Sequence, residues 1–123
     1  KPGLVHYDIG DCLRSACNPA GEEACETDSV KFDLDLCETL LEGYLEAART
    51  FLSETDLDHI YVSARLLSFE LGLRFLSDHL AGNVYFRTTR PNHNLDRAWV
   101  QFRLTESIEA QEEQIRQIVA KLR

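Results

Sequence analysis

Apolar residues recur at three- and four-residue intervals along most of this chain, with polar residues between them. That spacing puts the apolar side chains on one face of an α-helix. It predicts helices from Ile9 to the break at Asn18–Pro19 and over about residues 33–52, 56–81 and 94–122. A short extended piece, "VYFR", precedes the last helix. We therefore expect an all-α fold: a single domain spanning residues 1–123, built as a helical bundle of about four helices.

Polar residues and a glycine mark the expected helix ends. Residues 18–30 are acidic and show no periodicity, which predicts a surface loop. Short polar side chains cap helix N-termini, and glycine commonly follows a helix C-terminus. The predicted end residues are Asp8 as an N-cap with Asp11 reaching back to it, Ser53 or Thr55 as the cap of the third helix, Gly82 after that helix, and Asn94 as the cap of the last one.

The segment 56–81 is apolar on nearly every side, which predicts that its helix is surrounded by the others. One charged stripe interrupts it, because Glu70, Arg74 and Asp78 follow one another at four-residue steps. Two interpretations stay open. The stripe is either an internal ion-pair ladder between helices or the wall of a solvent-filled cleft that binds a polar ligand, with Tyr85 at its rim.

Charge and cysteine spacing exclude several classes of function. The formal net charge of −8 disfavours nucleic acid and anionic membrane surfaces as partners. We find no apolar run long enough to span a membrane and no signal-peptide pattern, so we expect a cytoplasmic protein. The four cysteines and four histidines match no metal-ligand spacing. We therefore predict that the chain has no metal site.

The tripeptide His6-Tyr7-Asp8 looks like the His-X-Asp of a kinase catalytic loop, but the match fails. A kinase loop needs an Asn metal ligand five positions after the Asp, and Leu13 stands there. The sequence also contains neither a glycine-rich phosphate loop nor an Asp-Phe-Gly motif. We therefore predict no catalytic residue in this chain.

Two stretches instead resemble the aminoglycoside phosphotransferase-like kinases, most closely their N-acetylhexosamine kinase branch. "KPGLVHYDIGDCLRS" is similar to the segment that follows that family's metal-binding Asp-X-Asp-Thr. The second stretch, residues 70–104, "ELGLRFLSDHLAGNVYFRTTRPNHNLDRAWVQFRL", is similar to the family's C-terminal region. The matching positions of the first motif are Pro2, Gly3, Tyr7, Asp8, Ile9, Gly10, Asp11, Leu13 and Arg14.

The resemblance implies a protein kinase-like fold, of which this chain is the C-terminal helical subdomain. The longer enzyme would transfer the γ-phosphoryl group of ATP to a sugar hydroxyl with Mg²⁺, using a nucleotide-binding lobe and catalytic loop absent from this chain. The chain alone would bind neither ATP nor Mg²⁺ and would be inactive. Its partners would be the acceptor and the missing N-terminal lobe. Uncovered apolar residues near Leu4, Val5 and Tyr7 would favour self-association.

The resemblance also assigns roles to individual residues. It implies that Asp8 is structural, accepting backbone N–H bonds from the catalytic loop. The substrate-binding residues that it implies are Arg74 and Tyr85, with Asp11, Arg14 and Asp78 as further members of the acceptor pocket. A guanidinium and a phenol suit a polyhydroxylated acceptor, because both make directional hydrogen bonds and the ring offers a stacking face.

Other acceptors and one other class of function remain as alternatives. The acceptor could be an aminoglycoside, choline or another small alcohol. Because four acidic residues cluster in residues 22–28 while Arg74 and Arg87 are near the expected pocket, a neutral sugar is favoured. The chain could also be a helical interaction module with no enzymatic history. Such a module is expected to expose an apolar groove, and the pattern shows no obvious one.

Overall fold

The computed structural model describes residues 5–21, 29–48, 50 and 52–123, with side chains described from residue 8 onward. Within these ranges the regular structure is helical, which confirms the predicted all-α bundle. The helices are α1 (Val5–Ala16), α2 (Leu34–Ala48), α3 (Glu54–Asp58), α4 (Ile60–Leu80), α5 (His93–Ala110) and α6 (Glu112–Leu122). The predicted short extended piece at residues 84–87 is irregular and belongs to the connection between α4 and α5.

Helix α4 is the centre of the bundle, as its composition predicted. It packs against α5 and against α1, while α2 packs mainly on α6. The apolar core lies where these helices meet, and its largest members include Leu41, Ile60, Leu104 and Ile115, none of which keeps exposed surface. Burial of such side chains supplies most of the folding free energy.

The predicted N-cap at Asp8 is wrong, because α1 already begins at Val5. Asp8 lies inside the first turns of the helix with its side chain exposed. Residues 5–8 contain no proline or glycine that would stop a helix, and buried Ile9 and Leu13 extend the helical spacing. Asp11 does not reach back toward Asp8 and instead pairs with Arg14, three residues later.

The predicted helix over 56–81 is two helices, α3 and α4, separated by His59. The predicted cap at Ser53 is confirmed: its Oγ accepts the N–H of Asp56 at 3.1 Å, and the Asp56 carboxylate accepts the N–H of Ser53 at 3.0 Å. His59 leaves helical geometry with φ −97° and ψ 1°. No proline or glycine marks this break, so the apolar spacing alone predicts one continuous helix.

The predicted last helix is also two helices, α5 and α6, which meet at Gln111. The Gln111 side chain donates to the carbonyl oxygens of Phe32, at 2.9 Å, and Ser107, at 3.2 Å. Its backbone, with φ −113° and ψ 21°, is not helical. A tertiary contact with the segment before α2 therefore accompanies the break, and local pattern cannot reveal such a contact.

The connection between α4 and α5 contains three residues with positive φ. Gly82, at φ +94°, follows the end of α4 as predicted. Asn83 (φ 63°) and Asn92 (φ 60°) take the left-handed conformation that asparagine tolerates better than most residues. Asn92, and not the predicted Asn94, is the N-cap of α5. Asn94 lies inside the helix and is fully buried.

Candidate functional site

A cleft of about 570 Å³ lies between the C-terminal half of α4 and the connection that follows it. This volume falls within the roughly 300–1,000 Å³ that is typical of small-molecule sites. Charged and polar side chains share its wall with aromatic and aliphatic ones. The lining includes Glu70, Arg74, Ser77, Asp78, Tyr85 and Phe86.

The charged stripe of α4 lies in this cleft, but its three members do not form a ladder. Arg74 donates to the carboxylate of Glu70 at 2.8 Å, within the same helix. Both side chains are exposed, so the pair faces water and does not link helices. The interpretation as an internal ion-pair ladder is therefore wrong for Glu70 and Arg74. Since a guanidinium has five N–H groups, a pair of this kind leaves donors that can bind a ligand.

Asp78, the third member of the stripe, is buried and holds the chain that follows α4. Its Oδ1 accepts the backbone N–H of Tyr85 at 2.7 Å, and its Oδ2 accepts that of Phe86 at 2.9 Å. Oδ2 also accepts the side-chain amide of Asn94 at 2.8 Å. Burial acts to raise the pKa of Asp78, but hydrogen bonds from the amides of Phe86, Tyr85 and Val84 and from Asn94 outweigh it and lower that pKa.

The start of α5 holds the same connection from the other side. Besides contacting Asp78, the amide of Asn94 donates to Oδ1 of Asn83 at 3.1 Å. Arg97 donates to the backbone carbonyl of Arg87 at 2.8 Å and to Oδ1 of Asn94 at 3.0 Å. Residues 83–87, which we call the rim loop, are therefore fixed between α4 and α5.

The side chain of Tyr85 projects from the rim loop into solvent beside the cleft. It is 81% exposed, and its ring meets the neighbouring Phe86 ring edge-on at 4.9 Å between centroids. Phe86 in turn packs against Phe75 of α4 at 4.6 Å. The Tyr85 ring therefore stands on a fixed base while its face and hydroxyl remain open to a ligand.

The structure brings Arg74, Asp78 and Tyr85 to one cleft, whereas Asp11 and Arg14 lie elsewhere. These two residues of α1 pair at 2.9 Å, and Arg14 also reaches Oε1 of Gln101 on α5 at 3.5 Å. Neither residue is part of the cleft lining described above.

Asp8 is exposed on α1. The catalytic loop that the family resemblance pairs with Asp8 is not part of this sequence, so the structural role of Asp8 stays a prediction.

Sequence reasoning missed two residues that shape the site. Asn94 was interpreted as a helix cap, although its side chain joins Asp78 to Asn83. Phe86 was grouped with a short extended piece, although it anchors the rim loop through its amide and its ring. For both residues the sequence showed only a position between two predicted helices. Such a position does not reveal which side chain points inward.

One face of α4 is apolar and exposed, which corrects the expectation that neighbours surround this helix completely. Leu66, Phe69 and Leu73 are 41–45% exposed on this face, which we call the apolar stripe. The stripe continues onto α5, where Trp99 is 51% exposed. Phe102 connects the two helices, with ring centroids 5.9 Å from Phe69 and 6.3 Å from Trp99. The sequence pattern shows no obvious apolar groove, but the structure exposes this apolar surface on α4 and α5.

Several expectations fall on residues outside the described ranges. These are Pro2, Gly3 and the self-association surface at Leu4, with the side chains of Val5 and Tyr7. The acidic segment 22–28 is also outside these ranges.

Among the described residues, no three His, Cys, Asp or Glu side chains come together in a way that could hold a metal ion. None of the helices in those ranges has the length and apolar character needed to cross a membrane. A search against protein-family models gives no match for this chain.

Proposed function

We propose that this chain is the acceptor-binding, C-terminal part of a cytoplasmic ATP-dependent phosphotransferase that phosphorylates a hydroxyl group of a sugar of the N-acetylhexosamine type. The observation that supports this most is the convergence of Arg74 and Tyr85 on one cleft. These are the two residues to which the family resemblance assigns contact with the acceptor. They come from different elements, α4 and the rim loop, so their proximity is not a consequence of sequence spacing alone.

The chemistry of the cleft suits a neutral, polyhydroxylated ligand. The Arg74 guanidinium offers N–H donors to hydroxyl or acetamido oxygens, and the Glu70 carboxylate can accept from a hydroxyl group. The exposed ring of Tyr85 provides a face on which a sugar ring can stack. A site that offers both a stacking face and directional hydrogen bonds favours a sugar over an apolar ligand of the same size.

The charge balance of the cleft favours a neutral sugar over a cationic aminoglycoside or choline. Glu70 and Arg74 offset each other's charge, and the carboxylate of Asp78 is occupied by amide donors. A site for a polycation would need carboxylates free to pair with ammonium groups.

ATP would supply the phosphoryl group, with Mg²⁺ neutralising the phosphate charge, in a lobe outside this chain. Within the proposal, the residues of this chain bind and orient the acceptor so that its hydroxyl faces that lobe. The chain contributes no catalytic residue to the transfer.

The coding sequence upstream of Lys1 and an assay of the polypeptide that it extends test this proposal. We expect an Asp-X-Asp-Thr motif a few residues before Lys1 and ATP-dependent phosphorylation of N-acetylglucosamine or N-acetylgalactosamine. Kanamycin and choline serve as competing acceptors, and residues 1–123 alone should show no activity. Turnover of kanamycin or choline in preference to the sugars would contradict the assigned acceptor.

A helical interaction module is the second candidate, and the apolar stripe is the observation that favours it. Exposed apolar surface of this kind commonly marks a contact with another protein or another part of the same protein. The same upstream sequence distinguishes the candidates, because a module with no enzymatic history would lack Asp-X-Asp-Thr there.

A further inference from the structure

We propose that Asp78, together with Asn94, is a positioning pair that fixes the rim loop as one wall of the cleft, and that it thereby controls how well the cleft discriminates between acceptors. The second half of this proposal rests on the proposed function, whereas the first half does not. The family resemblance placed Asp78 among the residues of the pocket. Its geometry gives it a different task.

The carboxylate of Asp78 is occupied by the protein itself. Each of its oxygens accepts a backbone N–H of the rim loop, and Oδ2 also accepts the Asn94 amide, at 2.7–2.9 Å. Asp78 keeps 6% of its surface exposed and Asn94 keeps none. Charge-assisted hydrogen bonds of this length are strong when water is excluded. A ligand would have to displace one of them to reach the carboxylate, so Asp78 acts through the loop.

The loop has a conformation that depends on this anchoring. Asn83 has a positive φ of 63°, and its side chain is held by the same Asn94 amide that binds Asp78. Non-glycine residues adopt this conformation at some cost, which surrounding contacts must offset. Loss of the anchor would release the loop from this geometry.

Tyr85 transmits the effect to the cleft. Its backbone N–H is bound by Asp78, while its side chain is 81% exposed beside the cleft. The backbone anchor therefore sets where the Tyr85 ring stands, together with the edge-on contact of that ring with Phe86 at 4.9 Å between centroids. A shift of the loop would change the stacking face and leave Arg74, which belongs to α4, in place.

NMR of the ¹³C,¹⁵N-labelled chain tests the anchor without any ligand. Across an acid titration of the wild-type chain, the amide protons of Tyr85 and Phe86 should move together with the Asp78 carboxyl carbon, with a midpoint below the ordinary value of an aspartate. In Asp78→Asn, this transition should vanish and hydrogen exchange at both amides should accelerate by at least about tenfold. Asp35→Asn, which removes an exposed carboxylate of α2, is the matched control.

If the amide shifts of Tyr85 and Phe86 in the wild-type chain do not follow the titration of the Asp78 carboxyl group, the anchor is overturned, whether or not Asp78→Asn folds. Unchanged exchange in a folded Asp78→Asn variant would overturn it as well.

Kinetics of the longer enzyme test the second half. Asp78→Asn should lower the ratio of kcat/KM between N-acetylglucosamine and glycerol, which has no ring to stack on Tyr85, by about tenfold and leave KM for ATP unchanged. An unchanged ratio would overturn the role in discrimination. If the NMR transition is seen but no sugar is phosphorylated by the wild type, the proposed function fails while the anchor stands.

Discussion

The guanidinium of Arg74 donates to the carboxylate of Glu70 at 2.8 Å, one turn earlier on α4, and the two side chains are 63% and 56% exposed. A pair this exposed lies in water, where it adds little to stability. Water-facing pairs typically contribute roughly 0–1 kcal/mol. Arg74, which the proposed acceptor site would use as a hydrogen-bond donor, is therefore a side chain whose loss the fold should tolerate.

Arg74→Ala should accordingly lower the free energy of unfolding by less than about 1 kcal/mol, as measured by urea denaturation. Arg116→Ala is the control: Arg116 forms a similarly exposed pair with Glu112 at 2.8 Å on α6, but its guanidinium also lies 4.8 Å from the centre of the Tyr61 ring, so its loss should cost somewhat more. A much larger loss of unfolding free energy for Arg74→Ala than for this control would contradict the expectation and indicate that Arg74 is mainly structural.

Gly10 allows α1 and α4 to approach closely, and a methyl group there should destabilise the bundle. A Cβ atom on Gly10 would lie 2.7 Å from Cβ of Ser63 and 2.8 Å from the backbone nitrogen of Ala64. Since backbone cannot move aside cheaply, Gly10→Ala should cost roughly 1–3 kcal/mol in urea unfolding.

Gly43→Ala provides the contrast, because a Cβ atom there meets nothing within 4 Å in the middle of α2. It should stabilise the chain by roughly 0.5–1 kcal/mol. Equal effects of the two substitutions would contradict the described contact between α1 and α4.

Asp78 should make the stability of the chain sensitive to acid. Its pKa in the folded state is lowered from the ordinary 3.8. The unfolded state therefore binds more protons in that range, and the stabilisation is complete above the ordinary value and lost as pH falls through the folded pKa. The difference in unfolding free energy between wild type and Asp78→Asn, followed by urea denaturation, should shrink as pH falls below 4. A difference that grows on acidification would contradict this sign.

Cysteine reactivity should divide the described thiols into two groups. Cys12 is exposed, whereas Cys17 and Cys37 are buried and keep no exposed surface. A hydrogen bond with Cys37 and burial both raise the pKa of Cys17, which suppresses its reactive thiolate. Iodoacetamide followed by peptide mapping should therefore label Cys12 in the native chain well before either of the others. Equally fast labelling of Cys17 would show that the core opens readily.

Periodicity was sufficient to predict the helical class and the central position of α4, although several of the apolar residues behind that prediction, among them Leu66, Phe69 and Leu73, are exposed in the apolar stripe. It failed at His59 and Gln111, where helices break without proline or glycine. At Gln111 the break coincides with a bond to Phe32, a residue distant in sequence. Contacts of this kind belong to tertiary structure and leave no local signal.

The same limit explains which parts of the site could be anticipated. The four-residue spacing of Glu70, Arg74 and Asp78 correctly indicated one side of a helix. It could not show that Glu70 and Arg74 face water while Asp78 turns inward toward Asn94. Which polar residue is buried depends on where the next helix packs, and that is decided by the whole bundle.

The KM of the longer enzyme for its sugar acceptor tests the central claim, that Arg74 binds the acceptor, most directly. Loss of a charge-assisted hydrogen bond should raise this KM by roughly tenfold to a hundredfold in Arg74→Ala, with KM for ATP unchanged. Arg74→Lys should not restore it, because an ammonium group cannot reproduce the planar fork of donors. Arg116→Ala should leave both constants unchanged. A sugar KM in Arg74→Ala equal to that of the wild type would contradict the assignment of this cleft as the acceptor site.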